Sequence, residues 1–309
     1  MENLEKFYIN GSWVTPNSTE TMSILNPATE QKIGRITLGN GSDVDQAVAA
    51  AQAAFKDFFQ TSKAQRLSLL LRLKEVTEAR FEDLAQAMRL EMGAPISMAR
   101  SDQADAAVGH LQGFIDALEE LEEQITLASG DVLMREPIGV CGLITPWNWP
   151  MNQIVLKVVP ALATGSCCIL KPSEHTPISA MIYAEIIDEA GYPPGVFNLV
   201  NGDGPTVGAA LSRHADIQMM SFTGSTRAGI AVTQDAAPTV KRVTLELGGK
   251  SPNLVFADCD LETQITASVQ ECMFNSGQSC DAPTRLLVER DCYDEALDIA
   301  KRAGEATLV

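Results

Sequence analysis

One cysteine of the chain stands in a setting that suits nucleophilic chemistry. The chain has seven cysteines, most of them within apolar runs, where a thiol acts as a small buried hydrophobe. Cys280 differs, because it belongs to the polar, glycine-containing segment FNSGQSCDAPTR, residues 274–285, which follows a predicted helix. A polar, partly exposed setting favours the thiolate, which is the nucleophilic form. The residues alone leave Cys280 open as a reactive thiol or as an ordinary buried one.

A single carboxylate interrupts the apolar strand predicted within TLELGGKSP, residues 244–252. Glu246 has a leucine on either side in this strand. A carboxylate in such a place is neutralised, paired or functional, because an isolated buried charge is unfavourable. Burial is also one way in which proteins tune a carboxylate for proton abstraction. We therefore expect Glu246 to be buried, and we treat it as a candidate general base.

Two other predicted strands end in polar segments. Asn148 lies in ITPWNWP, residues 144–150, where two prolines restrict the backbone around a side-chain amide donor; the alternative is an ordinary turn residue. In KPSEHTP, residues 171–177, Lys171 could contact a phosphate or a ribose hydroxyl. Glu174 could accept hydrogen bonds from ribose hydroxyls, which is the usual mark of NAD preference. The alternative for this lysine and glutamate is an exposed salt bridge.

Two glycine-containing loops could approach a dinucleotide. They are GDGPTVG, residues 202–208, and FTGSTRAG, residues 222–229, each before a predicted helix. Glycines let a backbone come close to a pyrophosphate, and a helix N-terminus supplies N–H donors. Neither loop is a complete G-x-G-x-x-G fingerprint, so ordinary turn glycines remain the alternative. The candidate contacts are Gly204, Gly224, Ser225 and Gly229.

The apolar pattern after residue 137 predicts a doubly wound α/β fold. Short runs that are apolar on both faces alternate with helical segments, as in a parallel sheet covered by helices on both sides. Ligands bind such sheets at the carboxyl ends of the strands, where the polar segments above occur. The predicted strands are 140–145, 167–171, 196–200, 217–223 and 242–247. The predicted helices begin near Asn152, Pro177, Pro205, Thr226 and Leu261.

The N-terminal part predicts β-hairpins. The pair Asn10–Gly11 lies between alternating apolar residues, which is a strong hairpin signal. The next apolar segment repeats the pattern, with a turn at Asn26–Pro27.

Helices are predicted to follow the hairpins. Ser42 or Asp43 is expected to cap the first of them. A second helical stretch covers roughly residues 64–92 and ends at Gly93, a residue typical of helix C-termini. A third covers roughly residues 98–123.

Charge and cysteine usage exclude several classes of protein. Lys and Arg number 23 against 40 Asp and Glu, a net charge of −17 that argues against nucleic acid or an anionic membrane as the main partner. No apolar run approaches the roughly 20 residues of a spanning helix, and the N-terminus does not resemble a signal peptide. The odd number of cysteines, without a paired C-x-x-C spacing, predicts reduced thiols in a cytoplasmic protein without a metal site.

Taken in order, the motifs PWNWP, KPSE, FTGST, LELGGKSP and GQSC resemble the aldehyde dehydrogenase superfamily. The resemblance implies that Cys280 is the nucleophile and Glu246 the general base for a thioester. It implies that the Asn148 side chain and the Cys280 N–H hold the oxyanion, and that Lys157 lies near a proton-relay path. The expected product is a free acid, since branches that transfer the acyl group to coenzyme A tend to lack the glutamate.

The resemblance also implies a cofactor and an assembly. NAD is expected, with NADP possible, and a homodimer or homotetramer is expected with an aldehyde as substrate. A segment from about 120 to 137 resembles one arm of an oligomerisation hairpin. The residues implied in cofactor binding are Trp147, Lys171, Glu174, Gly204, Gly224, Ser225 and Gly229.

The resemblance divides the chain into residues 1–250, an NAD(P)-binding domain, and residues 251–309, the start of a catalytic domain. Family members continue for well over a hundred residues, so we expect the C-terminal part to be missing. A non-catalytic truncated product that binds nucleotide is therefore an alternative.

Two residues near the nucleophile depart from the usual family pattern. Met273 replaces a more usual aromatic or aliphatic residue. Asp281 replaces a small or uncharged one. It either lines the substrate tunnel or turns away and pairs with a positive group such as Arg285.

Overall fold

A mixed sheet forms the centre of the larger part of the protein. The structure is a computed structural model that describes residues 3–307. Its strands are β1 (Phe7–Ile9), β2 (Ser12–Val14), β3 (Thr21–Leu25), β4 (Lys32–Thr37), β5 (Gln124–Thr126), β6 (Val132–Met134), β7 (Val140–Ile144), β8 (Cys167–Lys171), β9 (Phe197–Leu199), β10 (Met219–Gly224), β11 (Arg242–Leu247), β12 (Pro252–Val255) and β13 (Arg285–Val288).

Helices flank these strands, and two of them are preceded by π-helical turns at residues 99–104 and 204–208. The helices are α1 (Gly41–Phe58), α2 (Lys63–Ala79), α3 (Phe81–Glu91), α4 (Ile96–Met98), α5 (Asp105–Glu120), α6 (Pro150–Ala163), α7 (Ile178–Glu189), α8 (Ala209–Arg213), α9 (Thr226–Ala236), α10 (Leu261–Gly277) and α11 (Tyr293–Glu305).

The seven-stranded sheet has the order β11-β10-β7-β8-β9-β1-β2. Strands β10, β7, β8 and β9 are parallel, and β1 is antiparallel to β9 and β2. Every residue of β7 and β8 is buried, as the runs of apolar residues predict. Helix α1 contacts α8 on the sheet, while α6 and α7 contact α2. The doubly wound α/β fold is confirmed.

Both predicted hairpins form at the N-terminus. Strands β1 and β2 join through Asn10 and Gly11, whose φ angles of 52° and 73° are those of the left-handed region. A β-branched residue at Gly11 would be strained there, and its Cβ would lie 3.0 Å from Pro194. Strands β3 and β4 pair around the turn that begins at Asn26.

The predicted cap of the first helix is wrong. The N-cap of α1 is Asn40, whose side chain accepts hydrogen bonds from the N–H groups of Ser42 and Asp43. The Asp43 carboxylate in turn accepts the Asn40 N–H at 3.0 Å, which completes a capping box. Asp43 therefore assists the cap from the third helical position.

Two predicted helical stretches are interrupted. The stretch 64–92 consists of α2 and α3, which are separated at Arg80, where the backbone leaves helical geometry at φ −99° and ψ 14°. Its predicted end is confirmed, because Gly93 has a φ of 77°. The stretch 98–123 opens with the π-helical turn and ends at Glu120, since Leu121 is extended.

Strand β11 departs from the predicted burial on both faces. Its residues alternate between exposed and partly buried, and Glu246 is exposed, so the expected burial of this carboxylate is wrong. The physical reason is that β11 is at the edge of the sheet, with β10 as its only neighbour there.

Strands β5 and β6 form a separate antiparallel hairpin within the segment predicted as an oligomerisation arm. All three residues of β6 are exposed, including Leu133 at 42% and Met134 at 64%.

The chain divides into two compact units, one ending at Glu246 and the other beginning at Leu247. The second unit contains the parallel pair of β12 and β13 with α10 and α11. Its core consists of Val255, Ile265, Ala296 and Ile299. The functional division at residue 250 stays a prediction. Among residues 3–307, none of the helices combines the length and the apolar character that crossing a bilayer requires.

A buried carboxylate joins two helices of the first unit. Glu91, at the end of α3, is 3% exposed and accepts the backbone N–H of Ile178 at 2.5 Å and of Ser179 at 2.9 Å, at the start of α7. Burial raises the pKa of Glu91 to about 7, although these hydrogen bonds act in the opposite direction. The Glu91 carboxylate thus caps α7, although the surrounding core disfavours its charged form.

We predict a pH-dependent effect of Glu91→Gln on stability. Because the folded-state pKa lies above the ordinary value of 4.5, the contribution of Glu91 is fully present below that value and is lost as pH rises through about 7. The melting temperature of the variant should therefore rise relative to the unmodified protein, by roughly 3 °C or more, between pH 5 and pH 8.

The matched control is Glu82→Gln, on the exposed side of the same helix. Its hydrogen bonds with Arg100 lower the pKa of Glu82 to about 2, so its effect should stay nearly constant over this range. A constant difference for Glu91→Gln would contradict the prediction.

Candidate active site

The loop between β7 and α6 presents the predicted oxyanion donor. Strand β7 ends at Ile144, and Pro150 begins α6, a position where the missing N–H of proline is not needed. Within the loop Trp147 is 45% exposed and Asn148 is partly buried. The backbone carbonyl of Asn148 accepts a hydrogen bond of 3.0 Å from the Gln103 side chain. The loop is therefore held at Asn148 by a hydrogen bond from the core, while its Trp147 side chain faces solvent.

The end of β8 carries a partly buried ion pair. The Lys171 ammonium lies 2.9 Å from a carboxylate oxygen of Glu174, with the lysine side chain 4% exposed and the glutamate side chain 25% exposed. Burial opposes ionisation of Glu174, but the Lys171 charge and hydrogen bonds outweigh it and hold the pKa of the carboxyl below its usual value. The alternative prediction, an exposed salt bridge between these two residues, is therefore correct about the pairing and wrong about the exposure. The ion pair offers both a cation and an acceptor at the strand end.

Ser225 caps the helix that follows β10. Its hydroxyl oxygen accepts the Ala228 N–H at 3.2 Å, and Gly229 lies buried in the first turn of α9. Gly224 is required by local packing, since a Cβ there would lie 2.6 Å from the Phe222 ring. The N-terminus of α9 supplies the positive potential that favours an anion.

These four loops follow strands that are neighbours in the sheet, in the order β10, β7, β8 and β9. In the parallel register, Ile144 of β7 pairs with Phe222 of β10 and with Lys171 of β8. The ends of β10, β7 and β8 are thus adjacent. Gly204 follows β9, three strands from β10 or roughly 14 Å by strand spacing. A Cβ at Gly204 would meet open space, so packing does not require glycine there.

A buried lysine of α6 contacts β10 near the strand ends just described. Lys157 of α6 is 6% exposed, and its ammonium donates to the Ser221 hydroxyl of β10 at 3.2 Å. Burial lowers the pKa of Lys157 to about 8, and the nearby Glu246 carboxylate opposes that change. The Glu246 carboxylate thus favours the charged form of Lys157, although Glu246 itself is exposed.

Cys280 belongs to the second unit and is exposed, as its polar surroundings predict. It follows a turn in which Asn275, Ser276 and Gly277 have φ angles of 53°, 56° and 70°. The Cys280 carbonyl accepts the Gly249 N–H at 3.2 Å, which ties the loop to the segment after β11.

Other thiols are poorly suited to nucleophilic attack. Cys141, Cys167 and Cys168 are buried in β7 and β8, and desolvation raises the pKa of Cys141 and of Cys167 to about 12. Because the thiolate is the reactive form, these side chains are structural. Within residues 3–307, no group of three or more His, Cys, Asp or Glu side chains could hold a metal ion.

Asp281, next to the nucleophile candidate, is exposed. In the part of the chain that the structure describes, it forms no ion pair with Arg285, whose side chain donates to the Lys250 carbonyl at 2.8 Å. The pairing of Asp281 with Arg285 is therefore wrong, while its place in a substrate tunnel stays a prediction.

Two buried polar residues that contact candidate site residues, Gln103 and Ser221, were not predicted from the sequence. Gln103 is in the π-helical turn, and helix surfaces carry many glutamines, so its type gives no signal. Ser221, a polar residue inside the buried run IQMMSFT, is the one that the pattern could have indicated.

The comparisons with known proteins identify the family. The family model described as Aldehyde dehydrogenase family matches residues 13–308. The chain belongs to the aldehyde dehydrogenase family. It is 50% identical over 302 residues to a 3-succinoylsemialdehyde-pyridine dehydrogenase of a Pseudomonas species, which covers 97% of this chain and 63% of that relative.

Solved aldehyde dehydrogenases share the fold. One from Bartonella henselae has a TM-score of 0.96 at 49% identity, covering 98% of this chain and 64% of that one. A mutant of aldehyde dehydrogenase C from Pseudomonas syringae, solved with NAD+ and octanal, has a TM-score of 0.97 at 48% identity, covering 99% and 63%. The chain thus spans a little under two thirds of the length of these family members.

The effect of Glu246 on the pKa of Lys157 can be measured in this protein. An NMR titration of the Lys157 side chain, assigned by loss of its signal in Lys157→Arg, should give a midpoint near 8. Glu246→Gln should lower that midpoint, because a nearby negative charge favours the ammonium. The matched control is Glu174→Gln, which removes the carboxylate beside Lys171 and should leave the titration midpoint of Lys157 unchanged. An unchanged midpoint in Glu246→Gln would show that the two groups do not interact.

Proposed function

We propose that the protein oxidises an aldehyde to a carboxylic acid with NAD+, through a thioester on Cys280. The observation that carries the proposal is the adjacency of the Asn148 loop, the Lys171–Glu174 pair and the Ser225 cap at the ends of β7, β8 and β10. This is the edge at which parallel α/β sheets bind dinucleotides. The family membership supports the same reaction.

The polar groups of this edge fit a dinucleotide. The Lys171 ammonium can donate to ribose hydroxyls and Glu174 can accept from them, while Ser225 and the start of α9 can donate to the pyrophosphate. Trp147, Gly224 and Gly229 belong to these loops and are proposed as further contacts with the cofactor. Gly204, which follows β9, is proposed as a more distant cofactor contact. When bound, NAD+ accepts the hydride that the substrate carbon loses.

The chain's own residues would perform the bond changes. The Cys280 thiolate attacks the aldehyde carbon, and the oxygen becomes an oxyanion held by the Asn148 amide and the Cys280 N–H. Each fixed donor of this kind typically contributes about 3 kcal/mol to the transition state. Loss of hydride leaves the thioester, and Glu246 takes a proton from the water that hydrolyses it. The exposure of Glu246 is compatible with this role, because its carboxylate can reach water.

The substrate is proposed to be a small aldehyde whose tail passes Asp281. The named or bound aldehydes of two relatives, a pyridine-bearing semialdehyde and octanal, are the first compounds to test. A cytoplasmic location is proposed because a chain with seven free cysteines suits a reducing compartment.

The hairpin of β5 and β6 is proposed as a contact between copies of the chain. Four of its apolar side chains are exposed and could be covered by a partner: Leu127, Val132, Leu133 and Met134. Exposed apolar groups of this kind mark interaction sites. We therefore propose a homodimer or homotetramer.

The division of labour between Cys280 and Glu246 can be tested in protein expressed from the intact gene. Cys280→Ala should abolish aldehyde-dependent NADH formation. Glu246→Gln should retain a rapid burst of NADH, close to one equivalent per site, and then turn over on the order of 100-fold more slowly, because only the hydrolysis has lost its base. Stopped-flow absorbance measures both phases.

The control is Cys272→Ala, which removes another cysteine of the same unit and should leave turnover unchanged. Loss of the burst in Glu246→Gln, with NAD+ still bound, would mean that the glutamate acts before the thioester forms.

Cofactor preference provides a separate test. An ionised Glu174 should repel a 2′-phosphate, so kcat/KM should be higher with NAD+ than with NADP+. Glu174→Gln should reduce that ratio by about 10-fold, the effect of roughly 1.4 kcal/mol. Glu185→Gln, on the neighbouring helix α7, should not change it. A preference of the unmodified protein for NADP+ would contradict the assignment of Glu174.

A further inference from the structure

Gln103 makes a hydrogen bond that connects a helix to the loop of the proposed oxyanion donor. The residue is fully buried in the π-helical turn of residues 99–104. Its side-chain amide donates to the backbone carbonyl of Asn148 at 3.0 Å, and it lies 3.5 Å from the Met92 sulfur. A polar side chain so deeply buried is retained where its hydrogen bond is needed.

Asn148 lies in the loop before α6, which begins at Pro150. Trp149 is the N-cap of that helix, and its carbonyl accepts the Gln153 N–H at 3.0 Å. The sheet does not reach Asn148 either, because β7 ends at Ile144. Gln103 therefore anchors the backbone at the residue whose side chain would meet the oxyanion.

The π-helical turn is the element that directs Gln103 toward this loop. It packs against α3, α5 and α6, so it is held on several sides. A π-turn inserts an extra residue into a helix and rotates the side chains on either side of it, and such turns are frequent at functional sites.

We propose that Gln103 is a positioning residue that holds the Asn148 peptide in the orientation needed for oxyanion stabilisation. This inference rests on the proposed function. Gln103 would not touch the substrate but would act through Asn148, because the direction of a side-chain amide depends on the backbone that carries it. Small errors in such geometry reduce rates strongly.

A double-mutant cycle tests whether Gln103 acts through Asn148. In protein from the intact gene, Asn148→Ala should lower kcat by about 100-fold or more, as loss of an oxyanion donor does. Gln103→Met, which keeps the length and removes the donor, should lower kcat by about 10-fold with little change in the KM for NAD+. In the Asn148→Ala background, Gln103→Met should change kcat by less than about two-fold.

A second variant keeps the side-chain shape. In Gln103→Glu the introduced carboxyl can donate to the Asn148 carbonyl only when protonated. Its kcat relative to the unmodified protein should therefore fall as pH rises, whereas the relative kcat of Gln103→Met should not vary with pH. Neither the Met92 sulfur nor the Asn148 carbonyl, both of which Gln103 contacts, titrates in this range.

The control is Gln112→Met, on the exposed face of α5, where the glutamine contacts Asp116. It should leave kcat unchanged. If Gln103→Met lowers kcat by the same factor in the unmodified protein and in the Asn148→Ala background, the inference is overturned and the proposed function is left intact. No aldehyde-dependent NADH from the unmodified protein would refute the proposed function, and the role of Gln103 with it.

Discussion

The parallel register of β7 between β10 and β8 is the constraint on which the candidate site depends. Ile144 pairs with Phe222 on one side and with Lys171 on the other, so three loops leave the sheet at the same level. A slip of one residue would turn every side chain of β7 to the opposite face. Complete burial of this strand makes such a slip unfavourable, and the core therefore determines the positions of polar groups that are not themselves in the core.

Two buried lysines beside this edge have different electrostatic surroundings. Lys171 shares an ion pair with Glu174, so its charge is compensated locally. Lys157 has the neutral Ser221 hydroxyl as its hydrogen-bond partner, and burial lowers its pKa to about 8 although the Glu246 carboxylate acts in the opposite direction. The first lysine suits a fixed charge for recognition, and the second suits a group that can exchange a proton. The net charge of the whole chain indicates neither role.

The sequence predicted those features that depend on neighbours along the chain. Asn10 and Gly11 adopt the left-handed φ angles that their turn requires. The strands β7 and β8 are buried because their own residues are apolar on both faces. The cap of α1 is a local feature that was nevertheless misplaced by two or three residues. Two other features that the sequence did not indicate are determined by residues distant in sequence. The edge position that exposes Glu246 is a property of the sheet, and the partner that fixes Gln103 lies 45 positions away in the chain.

Exposure decides which thiol of the protein is available for chemistry. Cys141 and Cys167 are buried, where desolvation disfavours the thiolate, so the sheet can contain several thiols without side reactions. Cys280 instead follows two left-handed residues that are not glycine, Asn275 and Ser276, a conformation that costs on the order of 1 kcal/mol each and persists only where the surroundings enforce it. This turn ends α10 abruptly and leaves Cys280 in an exposed loop. Cys280 thus differs from Cys141 and Cys167 both in its exposure and in the left-handed turn that precedes it.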